Sequence, residues 1–460
     1  MSELWTLDAV ELVRLVRTRA VSAREVVAAH LARIDAVNPV VNAVTSVPSE
    51  SALRAAAAID DGAEAGPLCG VPMTVKENID VAGSATTHGI AMLRNAIVED
   101  DAPHIAELRA AGAIPVGRGH MPEFGMRWHT DGDLHGPTRN PWSAAHTPGA
   151  SSGGDAVAVA TGMVPLGMGN DGAGSLRWPA QCCGVAALKT SLGRVSRVGS
   201  VAWQPAPFAF QLLAVHGPIA RSVRDLRLAY THMCGRDGGD SWYVPVPLTG
   251  PPLAQPIKVL LAVEPEADPT VWAALTRAGE LLDAAGYVVE EGRLPALDRA
   301  AEIYTQLMLA HGRLPDASRP IETIVSQGFI QFWASFTPQW ERAEGRRSFD
   351  PMLERAEIAR AWHEMLSATP LILAPIATAP AFPVAAELDP EWLAGWPTTI
   401  RTTVVANLLG LPAVAVPIGT DSGLPQVIQL IGARFREDLC LDAATVVEAG
   451  VPALTPIDPR

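Results

Sequence analysis

The sequence predicts an α/β protein built around a β-sheet that is largely parallel or mixed. Its 460 residues are 48% hydrophobic, which is enough apolar material for a large core. From Leu68 onward, short apolar runs typical of strands alternate with segments of helical periodicity. Alternation of this kind places helices against the faces of a sheet.

Two helices are predicted before the alternation begins. The first spans Thr6 to Thr18, and the second opens at a capping box formed by Ser22 and Glu25. His30 falls on the apolar face of the second helix. We therefore expect His30 to be a packed histidine and not a catalytic one.

The first strands and the helix between them surround a lysine. Met73 to Val75 is predicted to be a strand that ends near Lys76, and Ile114 to Val116 is the next strand. Between them, Ala102 to Ala111 is predicted to be a helix whose N-cap is Asp101. A strand end is a position from which a side chain can reach a site at the sheet edge.

A second α/β unit is predicted later in the chain, away from the chemistry. Lys258 to Val263 forms a strand, Asp268 caps a helix with Pro269 at its first position, and Tyr287 to Glu290 forms the next strand. This order of elements is that of a βαβ unit.

The segment from Ala300 to Leu366 is predicted to be helical. It contains Trp333, Trp340 and Trp362. Large aromatic side chains at helical positions are usually core residues, so we favour the core for them. One wall of a substrate pocket is the alternative.

The stretch from Thr147 to Leu188 contains two serine sites embedded in glycines. These are the pair Ser151 and Ser152 and, further on, Ser175. Glycine allows backbone conformations that are closed to residues with a Cβ. Ser175 directly precedes a short helical piece, so backbone amides before that helix are expected to bind an anion, such as the oxyanion of a carbonyl under attack. The amides of this predicted oxyanion hole are those of Gly172, Ala173, Gly174 and Ser175.

Two familiar motifs also match this stretch but lack their context. Residues 167–172 fit the dinucleotide pattern G-x-G-x-x-G, yet no Asp or Glu lies between Asp171 and Asp225, where the pattern needs an acid. Residues 149–153 fit the G-x-S-x-G nucleophile elbow, which needs an acid and then a histidine later in the chain. The last histidine is His363, far from the C-terminus. A glycine-rich loop without function would explain one such segment more easily than two.

Composition supplies a candidate base. Of the 35 basic residues, three are lysines: Lys76, Lys189 and Lys258. A buried lysine can lose its proton, whereas arginine stays protonated in proteins. Lys76 follows an apolar, strand-like run, so we expect partial burial and a lowered pKa. The ordinary alternative is a solvated lysine at a strand end.

Three segments together resemble the amidase signature family of Ser-cisSer-Lys amide hydrolases. They read GVPMTVKENIDVAGSATTHG, TPGASSGG and GNDGAGSLRWPAQCCGVAALKTSLGRVS. In the family pattern the first serine of the pair precedes the nucleophile by 24 residues, which is the separation of Ser151 from Ser175. Ala150 and Ala173 stand at positions that are glycine in the family pattern.

The resemblance implies a mechanism and a fold. Ser175 would be the nucleophile, Ser151 would carry a cis peptide bond and relay the proton, and Lys76 would be the general base. The fold would be a large mixed central β-sheet flanked by helices. No metal ion and no cofactor are needed for this hydrolysis.

Four residues are predicted to bind the substrate. The resemblance places Gly125 and Met126 in the acyl pocket opposite the nucleophile. Trp128, in the same loop, and Trp178, three residues after Ser175, suggest an apolar or aromatic substrate group.

The resemblance covers nearly the whole chain and suggests one large domain. Its predicted segments are an N-terminal helical segment at 1–60, the signature core at 61–234, a linker at 235–256, a peripheral βαβ unit with a helical insertion at 257–369, and a return to the core at 370–460.

Charge and composition exclude several classes of protein. The net charge of −14 argues against a nucleic-acid-binding surface. No apolar run is long enough to cross a membrane, and the N-terminus lacks the apolar core of a signal peptide. Five cysteines without framework spacing suit a reducing compartment, so a cytoplasmic location is predicted.

The spacing of the histidines and aspartates after the strand at Ile114 to Val116 argues against a zinc site. The loop region between residues 120 and 135 contains several side chains of the types that bind zinc, but their spacing matches no compact site. These residues are His120, His129, Asp131, Asp133 and His135.

The sequence thus predicts an amidase that hydrolyses an amide of a small, apolar or aromatic substrate through an acyl-enzyme. One alternative within the family is the amidase component of a tRNA-dependent amidotransferase, which would need a partner protein. Another, of a different class, is a non-catalytic binding protein on the same fold. A homodimer is an expectation at the level of the family.

Overall fold

One mixed sheet of eleven strands forms the centre of the molecule. The computed structural model describes residues 3–62, 66–199, 206–235, 239–311, 324–335 and 350–460. The strands lie in the order β1-β3-β2-β4-β6-β5-β10-β11-β9-β7-β8. They are β1 (Val44–Ser46), β2 (Pro72–Lys76), β3 (Ile114–Gly119), β4 (Leu166–Asp171), β5 (Ala186–Lys189), β6 (Val215–Ala220), β7 (Lys258–Ala262), β8 (Val288–Gly292), β9 (Leu371–Pro375), β10 (Ala413–Asp421) and β11 (Leu424–Gly432).

Both parallel and antiparallel pairs occur along the sheet. β2 pairs in parallel with β3 and β4, and β7 pairs in parallel with β8 and β9. The remaining pairs, from β4 through β6, β5, β10 and β11 to β9, are antiparallel, as is β1 with β3. The predicted α/β fold with a large mixed central sheet is therefore confirmed.

Helices cover both faces of the sheet, over two hydrophobic cores. Along the described chain they are α1 (Ala9–Arg17), α2 (Ala23–Val41), α3 (Ser49–Asp60), α4 (Pro103–Ala110), α5 (Gly153–Ala160), α6 (Arg177–Cys183), α7 (Phe208–Leu213), α8 (Val223–His232), α9 (Pro269–Ala284), α10 (Leu297–His311), α11 (Gln327–Ala334), α12 (Asp350–Ala368), α13 (Pro390–Thr399), α14 (Arg401–Leu408) and α15 (Glu437–Ala449). Within the ranges given above, none of these helices combines the length and apolar character needed to cross a membrane.

Strand β2 carries the candidate base and is buried along its whole length. Met73 and Val75 pack into the core that α8, α9 and α15 cover. Because side chains alternate along a strand, Thr74 and Lys76 point to the opposite face, where α5 lies. The predicted strand at Met73 to Val75 is confirmed, and it includes Lys76.

The N-terminal helices differ in one respect from the sequence prediction. The first helix begins at Ala9 and not at Thr6, because the Asp8 side chain caps it by accepting a hydrogen bond from the Glu11 amide. The capping box of Ser22 and Glu25 is confirmed.

Asp101 does not cap α4. The cap position is Ala102, which makes no side-chain capping bond, and Pro103 is the first helical residue. Asp101 accepts instead from the Ala82 amide at 2.8 Å and from Arg109. The acidic side chain therefore joins a loop to the helix and does not satisfy the helix end.

The later βαβ unit is confirmed and lies at the edge of the sheet. The Asp268 side chain caps α9 through the Thr270 amide, and β7 and β8 are parallel. In the following helical region, Trp362 is a core residue whose Nε1 donates to the Pro295 carbonyl. Trp340 lies outside the described residues. The segment boundaries at residues 60, 234, 256 and 369 stay predictions.

Candidate active site

Lys76 ends β2 with its amine between two polar side chains. Its Nζ lies 2.8 Å from Ser151 Oγ and donates to Asn170 Oδ1 at 2.7 Å. The Asn170 amide in turn donates to Asn78 Oδ1 at 2.9 Å. Since Asn170 Oδ1 can only accept, it directs one N–H of Lys76 away from Ser151. A neutral amine held in this way would turn its lone pair toward the Ser151 hydroxyl.

The surroundings of Lys76 favour the neutral amine. The side chain is fully buried, and this burial lowers its pKa because desolvation penalises the charged form. The negative charges of Asp155 and Asp171 act in the opposite direction and limit the fall. The predicted burial of Lys76 is confirmed, and it is complete where partial burial was expected.

The loop that carries Ser151 brings the two serine sites together. The Ala150–Ser151 peptide bond is cis, as the resemblance implies. The amide of Ser152 donates to the Ser175 carbonyl at 3.1 Å. Gly149 has a φ of +77°, and a Cβ there would lie 2.6 Å from Cα of Pro179, so the approach of this loop to helix α6, which follows Ser175, requires glycine.

The loop that carries Ser175 is tied to Asp171, the last residue of β4. The amides of Gly174 and Leu176 donate to the Asp171 carboxylate, at 2.7 Å and 3.2 Å. An amide that donates to a carboxylate points at that carboxylate, so Gly174 does not fit the predicted oxyanion set in this structure. The amides of Gly172, Ala173 and Ser175 remain as candidates.

A buried ion pair holds Asp171 itself. Arg177 Nε and Nη2 each donate to the carboxylate at 3.0 Å, and both side chains are fully buried. Although burial alone would raise the pKa of Asp171, the charge and hydrogen bonds of Arg177 hold it well below its usual value. Asp171 is therefore ionised and anchors the Ser175 loop. The signal for this pair was present in the sequence as an acid and a base six residues apart in an apolar stretch.

A helix from the later part of the chain also contacts this loop. Tyr304 on α10 donates its hydroxyl to the Gly172 carbonyl at 2.9 Å. The sequence did not indicate Tyr304, because nothing local shows that α10 returns to a loop 132 residues earlier.

A cavity of about 320 Å³ opens beside these groups. Seven of the predicted residues line it: Gly125, Met126, Trp128, Ser151, Gly172, Ala173 and Ser175. Its apolar wall includes Phe124, Phe210, Tyr304, Met308, Phe332, Trp333, Trp396, Ile400 and Val404. Its polar side includes Asn78, Asp80, His88, Asn170, Arg197 and His216. The expectation that the tryptophans of the helical region belong to the core is correct for Trp362, whereas Trp333 both packs against the core and lines the cavity.

Trp178 is not among the residues that line the cavity. It is fully buried, stacks on Phe382 with ring centroids 5.6 Å apart, and donates its Nε1 to the Trp128 carbonyl at 3.1 Å. Helix α6 turns this side chain into an aromatic cluster behind the cavity wall, and Trp396 belongs to the same cluster. Trp178 thus supports Trp128 instead of facing a substrate.

The loop with Met126 and Trp128 is fixed by a buried ion pair. Arg127 Nε donates to Glu387 Oε1 at 2.9 Å, and the Trp128 amide donates to Glu387 Oε2 at 2.7 Å. Glu387 is fully buried. One carboxylate therefore holds both the side chain and the backbone of this wall of the cavity.

The histidines considered for zinc have other partners. His120 Nδ1 lies 2.7 Å from Thr138 Oγ1, and His129 Nδ1 lies 3.0 Å from Thr147 Oγ1. His135 Nε2 lies 2.9 Å from Glu77 Oε1. In the part of the chain that the structure describes, His, Cys, Asp and Glu side chains form no group of three suited to a metal ion.

Comparison with known proteins defines the class to which this chain belongs. The fold matches that of a solved structure described as 6-aminohexanoate cyclic dimer hydrolase, with a TM-score of 0.85, 28% identity, and coverage of 100% of this chain and 99% of that one. A family model described as Amidase matches residues 25–441. The chain belongs to the amidase family, and the resemblance drawn from its motifs is confirmed.

Two curated relatives extend the comparison. An indoleacetamide hydrolase of Bradyrhizobium diazoefficiens is 39% identical over 464 residues, which cover 98% of this chain and 88% of the relative. One of the subunits of the glutamyl-tRNA(Gln) amidotransferase of Carboxydothermus hydrogenoformans is 32% identical over 480 residues, with 97% of each covered. The predicted class of enzyme, a hydrolase of amide C–N bonds, is confirmed by the family.

Proposed function

We propose that the protein hydrolyses its amide substrate through an acyl-enzyme on Ser175, with Ser151 as proton relay and Lys76 as general base. The observation that carries this proposal is the 2.8 Å contact between Lys76 Nζ and Ser151 Oγ at the wall of a cavity that Ser175 also lines. A nucleophile, a relay and a buried base in one place are what acyl transfer by a serine requires.

Each proton has a donor and an acceptor in this scheme. Neutral Lys76 takes a proton from Ser151 while Ser151 takes one from Ser175, and Ser175 Oγ attacks the carbonyl carbon. The amides of Gly172, Ala173 and Ser175 would stabilise the oxyanion. The relay then returns the proton to the leaving amine, and water cleaves the acyl ester by the reverse path.

The apolar wall supports an aromatic acyl group. The cavity volume of about 320 Å³ is at the small end of ligand pockets, and Phe124, Trp128 and Trp333 supply flat surfaces. A relative at 39% identity is an indoleacetamide hydrolase. We therefore propose an arylacetamide, with indoleacetamide as the first candidate.

The test measures ammonia release from indoleacetamide and from acetamide, together with labelling by a fluorophosphonate probe. We expect a large preference for indoleacetamide and labelling on Ser175. Lys76→Ala and Ser175→Ala should each lose about 10³-fold or more in kcat. Lys258→Ala, which alters an exposed lysine, is the control and should retain wild-type turnover.

Other outcomes would contradict parts of this proposal. Near-normal turnover by Lys76→Ala or Ser175→Ala would remove the assigned roles. Labelling of Ser151 instead of Ser175 would favour the nucleophile-elbow interpretation. Preferential hydrolysis of glutamine, with a second chain bound, would favour the amidotransferase alternative.

A cytoplasmic location and a homodimer belong to the same proposal. All five cysteines fall within the described residues and are free thiols, which suits a reducing compartment. Cell fractionation tests the location, and sedimentation of the purified chain tests the dimer.

A further inference from the structure

Asp155 is a buried carboxylate beside the proposed base, Lys76. The scheme above gives Asp155 no role. It lies in the first turn of α5, four residues after Ser151, and its side chain is fully buried. Aspartate is rarely buried in this way without a paired charge. A charge-compensating partner is therefore expected close by.

Two glycines make room for this side chain over β2. A Cβ on Gly119 would lie 2.3 Å from the Asp155 carboxylate, and a Cβ on Gly167 would lie 2.9 Å from Asp155 Cβ. Gly119 is the β3 partner of Lys76, and Gly167 is the β4 partner of Thr74. The Asp155 side chain therefore occupies the space of the missing side chains on both neighbours of β2.

This placement puts the carboxylate on the same face of β2 as Lys76. Thr74 precedes Lys76 by two residues, so the two side chains share a face, and Thr74 Oγ1 donates to Asp155 Oδ1 at 2.7 Å. The other oxygen, Oδ2, is buried and accepts no hydrogen bond from any described residue.

The charges of the two groups oppose the effect of burial. Burial raises the pKa of Asp155, and the Thr74 hydroxyl and the positive charges of Lys76 and Arg118 only partly offset this rise. Burial lowers the pKa of Lys76, and the negative charge of Asp155 raises it. Each group therefore stabilises the charged form of the other.

We propose that Asp155 is a positioning residue for the reaction, a carboxylate whose negative charge keeps Lys76 a strong enough base to accept the proton from Ser151. The inference rests on the proposed role of Lys76. An amine whose pKa is too low is too weak a base to remove the proton of a serine hydroxyl. A buried lysine without a negative charge nearby would therefore be a poor general base. Asp155 acts through Lys76 and needs no contact with the substrate.

Other titratable groups lie on or next to the elements packed against α5, and the Asp155 variants leave all of them unsubstituted. They are Glu77 after β2, Arg118 on β3, Asp171 on β4, Arg177 on α6 and His216 on β6. A change confined to residue 155 therefore isolates its charge.

The test is the pH dependence of kcat/KM for Asp155→Asn and Asp155→Ser. Asparagine can still accept from Thr74, whereas serine is shorter, so the property that both variants share is the loss of the charge. Removing a negative charge lowers the pKa of Lys76, so the acid limb of the profile should move to lower pH by about 1 to 3 units in both. Asp155→Glu keeps the charge and should keep the limb near its wild-type position.

Asp225→Asn is the matched control. Asp225 is also a buried aspartate, but it accepts from the amides of Ala9 and Val10, far from the cavity. We expect its acid limb to match that of the wild type. An unchanged acid limb in Asp155→Asn and Asp155→Ser would overturn the inference. Turnover by Lys76→Ala would instead overturn the proposed function, so the two failures can be distinguished.

Discussion

The charge state of Lys76 should govern the activity at low pH. A general base must be neutral, and burial lowers the pKa of this amine, so kcat/KM should be highest above the lowered pKa and should fall as the pH drops through it. Lys76→Arg places a group that stays protonated at the same position, and it should be inactive across the whole range. Measuring kcat/KM from acid to mildly alkaline pH checks both statements.

The control for this profile is Lys258→Arg, because Lys258 is exposed and its only described ion pair is with Glu290. Its profile should match that of the wild type. An active Lys76→Arg enzyme would contradict the role of Lys76 as base.

Gly125 and Gly136 form a matched pair for testing the space beside Ser151. Both have positive φ, +70° and +74°, so alanine should cost about 1 to 2 kcal/mol of stability at either position. A Cβ on Gly125 would lie 2.9 Å from Ser151 Oγ, whereas one on Gly136 would have no atom within 4 Å.

We therefore expect Gly125→Ala and Gly136→Ala to have similar melting temperatures but different turnover numbers. Gly125→Ala should displace Ser151 and lose kcat, and Gly136→Ala should retain it. Equal turnover in the two variants would mean that the Ser151 hydroxyl tolerates the displacement.

At the residue scale, sequence could identify chemistry but not direction. The scarcity of lysine pointed to Lys76, yet Lys189 carries the same signal and is also fully buried. Lys189 donates to the Leu411 carbonyl at 2.6 Å and does not line the cavity. The scarcity of lysine therefore could not separate the two residues, and the sequence motif around Lys76 did. Trp178 was misassigned because proximity in sequence to Ser175 does not fix where a helical side chain points.

Asp155 was available to sequence reasoning but was not selected. It is the sole charged residue in the run GGDAVAVA, which forms a helix that is buried throughout. An acid in such a run needs a partner, and this could have been inferred. Its position over Thr74 and Lys76 could not be inferred, because that depends on the register of β3 and β4 against β2.

At the scale of elements, one buried ion pair should hold the loop that carries Met126 and Trp128. Glu387→Ala removes the acceptor for Arg127 and for the Trp128 amide and leaves a buried guanidinium without its main partner. Breaking a buried pair in this way costs about 3 to 5 kcal/mol. We expect a lower melting temperature and a higher KM for the aromatic amide.

The comparison variant is Glu302→Ala. Glu302 forms an exposed ion pair with Arg299 at 2.7 Å, and exposed pairs contribute about 1 kcal/mol or less. Its melting temperature and KM should stay near those of the wild type. If Glu387→Ala behaved in the same way, the loop would be held by other contacts.

Local signals predicted elements well where capping and periodicity agreed. The capping box at Ser22 and the Asp268 cap of α9 are both present. Asp101 was misassigned as a cap because a tertiary contact with Ala82 competes for the same carboxylate. The start of α1 was placed too early because Asp8, within the apolar pattern, provides a better cap than the residues before it.

At the scale of the whole molecule, the cavity is assembled from distant parts of the chain, and four of them matter most here. Phe124 to Trp128, the Ser175 loop, helices α10 and α11, and the region from Leu393 to Val404 all line it. The motifs predicted the first two parts. The other two parts carry no motif. Their position at the cavity depends on how the helices pack over the sheet, so a single sequence could not predict which of their residues line it.

Trp333 on α11 offers a test of whether this late segment selects the substrate. Its ring lies 5.8 Å from that of Phe329 and faces the cavity, so truncation removes apolar surface from the substrate wall without touching Lys76, Ser151 or Ser175. Loss of contact with an aromatic side chain costs about 1.5 to 3 kcal/mol, which corresponds to about 10-fold or more in kcat/KM. In Trp333→Ala we expect that loss with indoleacetamide and little change with acetamide, which is too small to reach α11.

The control is Trp272→Ala, on the outer helix α9. It removes a ring that packs on the core and should lower stability without altering the ratio of kcat/KM between the two substrates. Equal losses of kcat/KM for both amides in Trp333→Ala would indicate that this tryptophan supports the fold and that the loop with Met126 and Trp128 selects the substrate. The deciding quantity is therefore the ratio of kcat/KM for indoleacetamide to that for acetamide, and not either value alone.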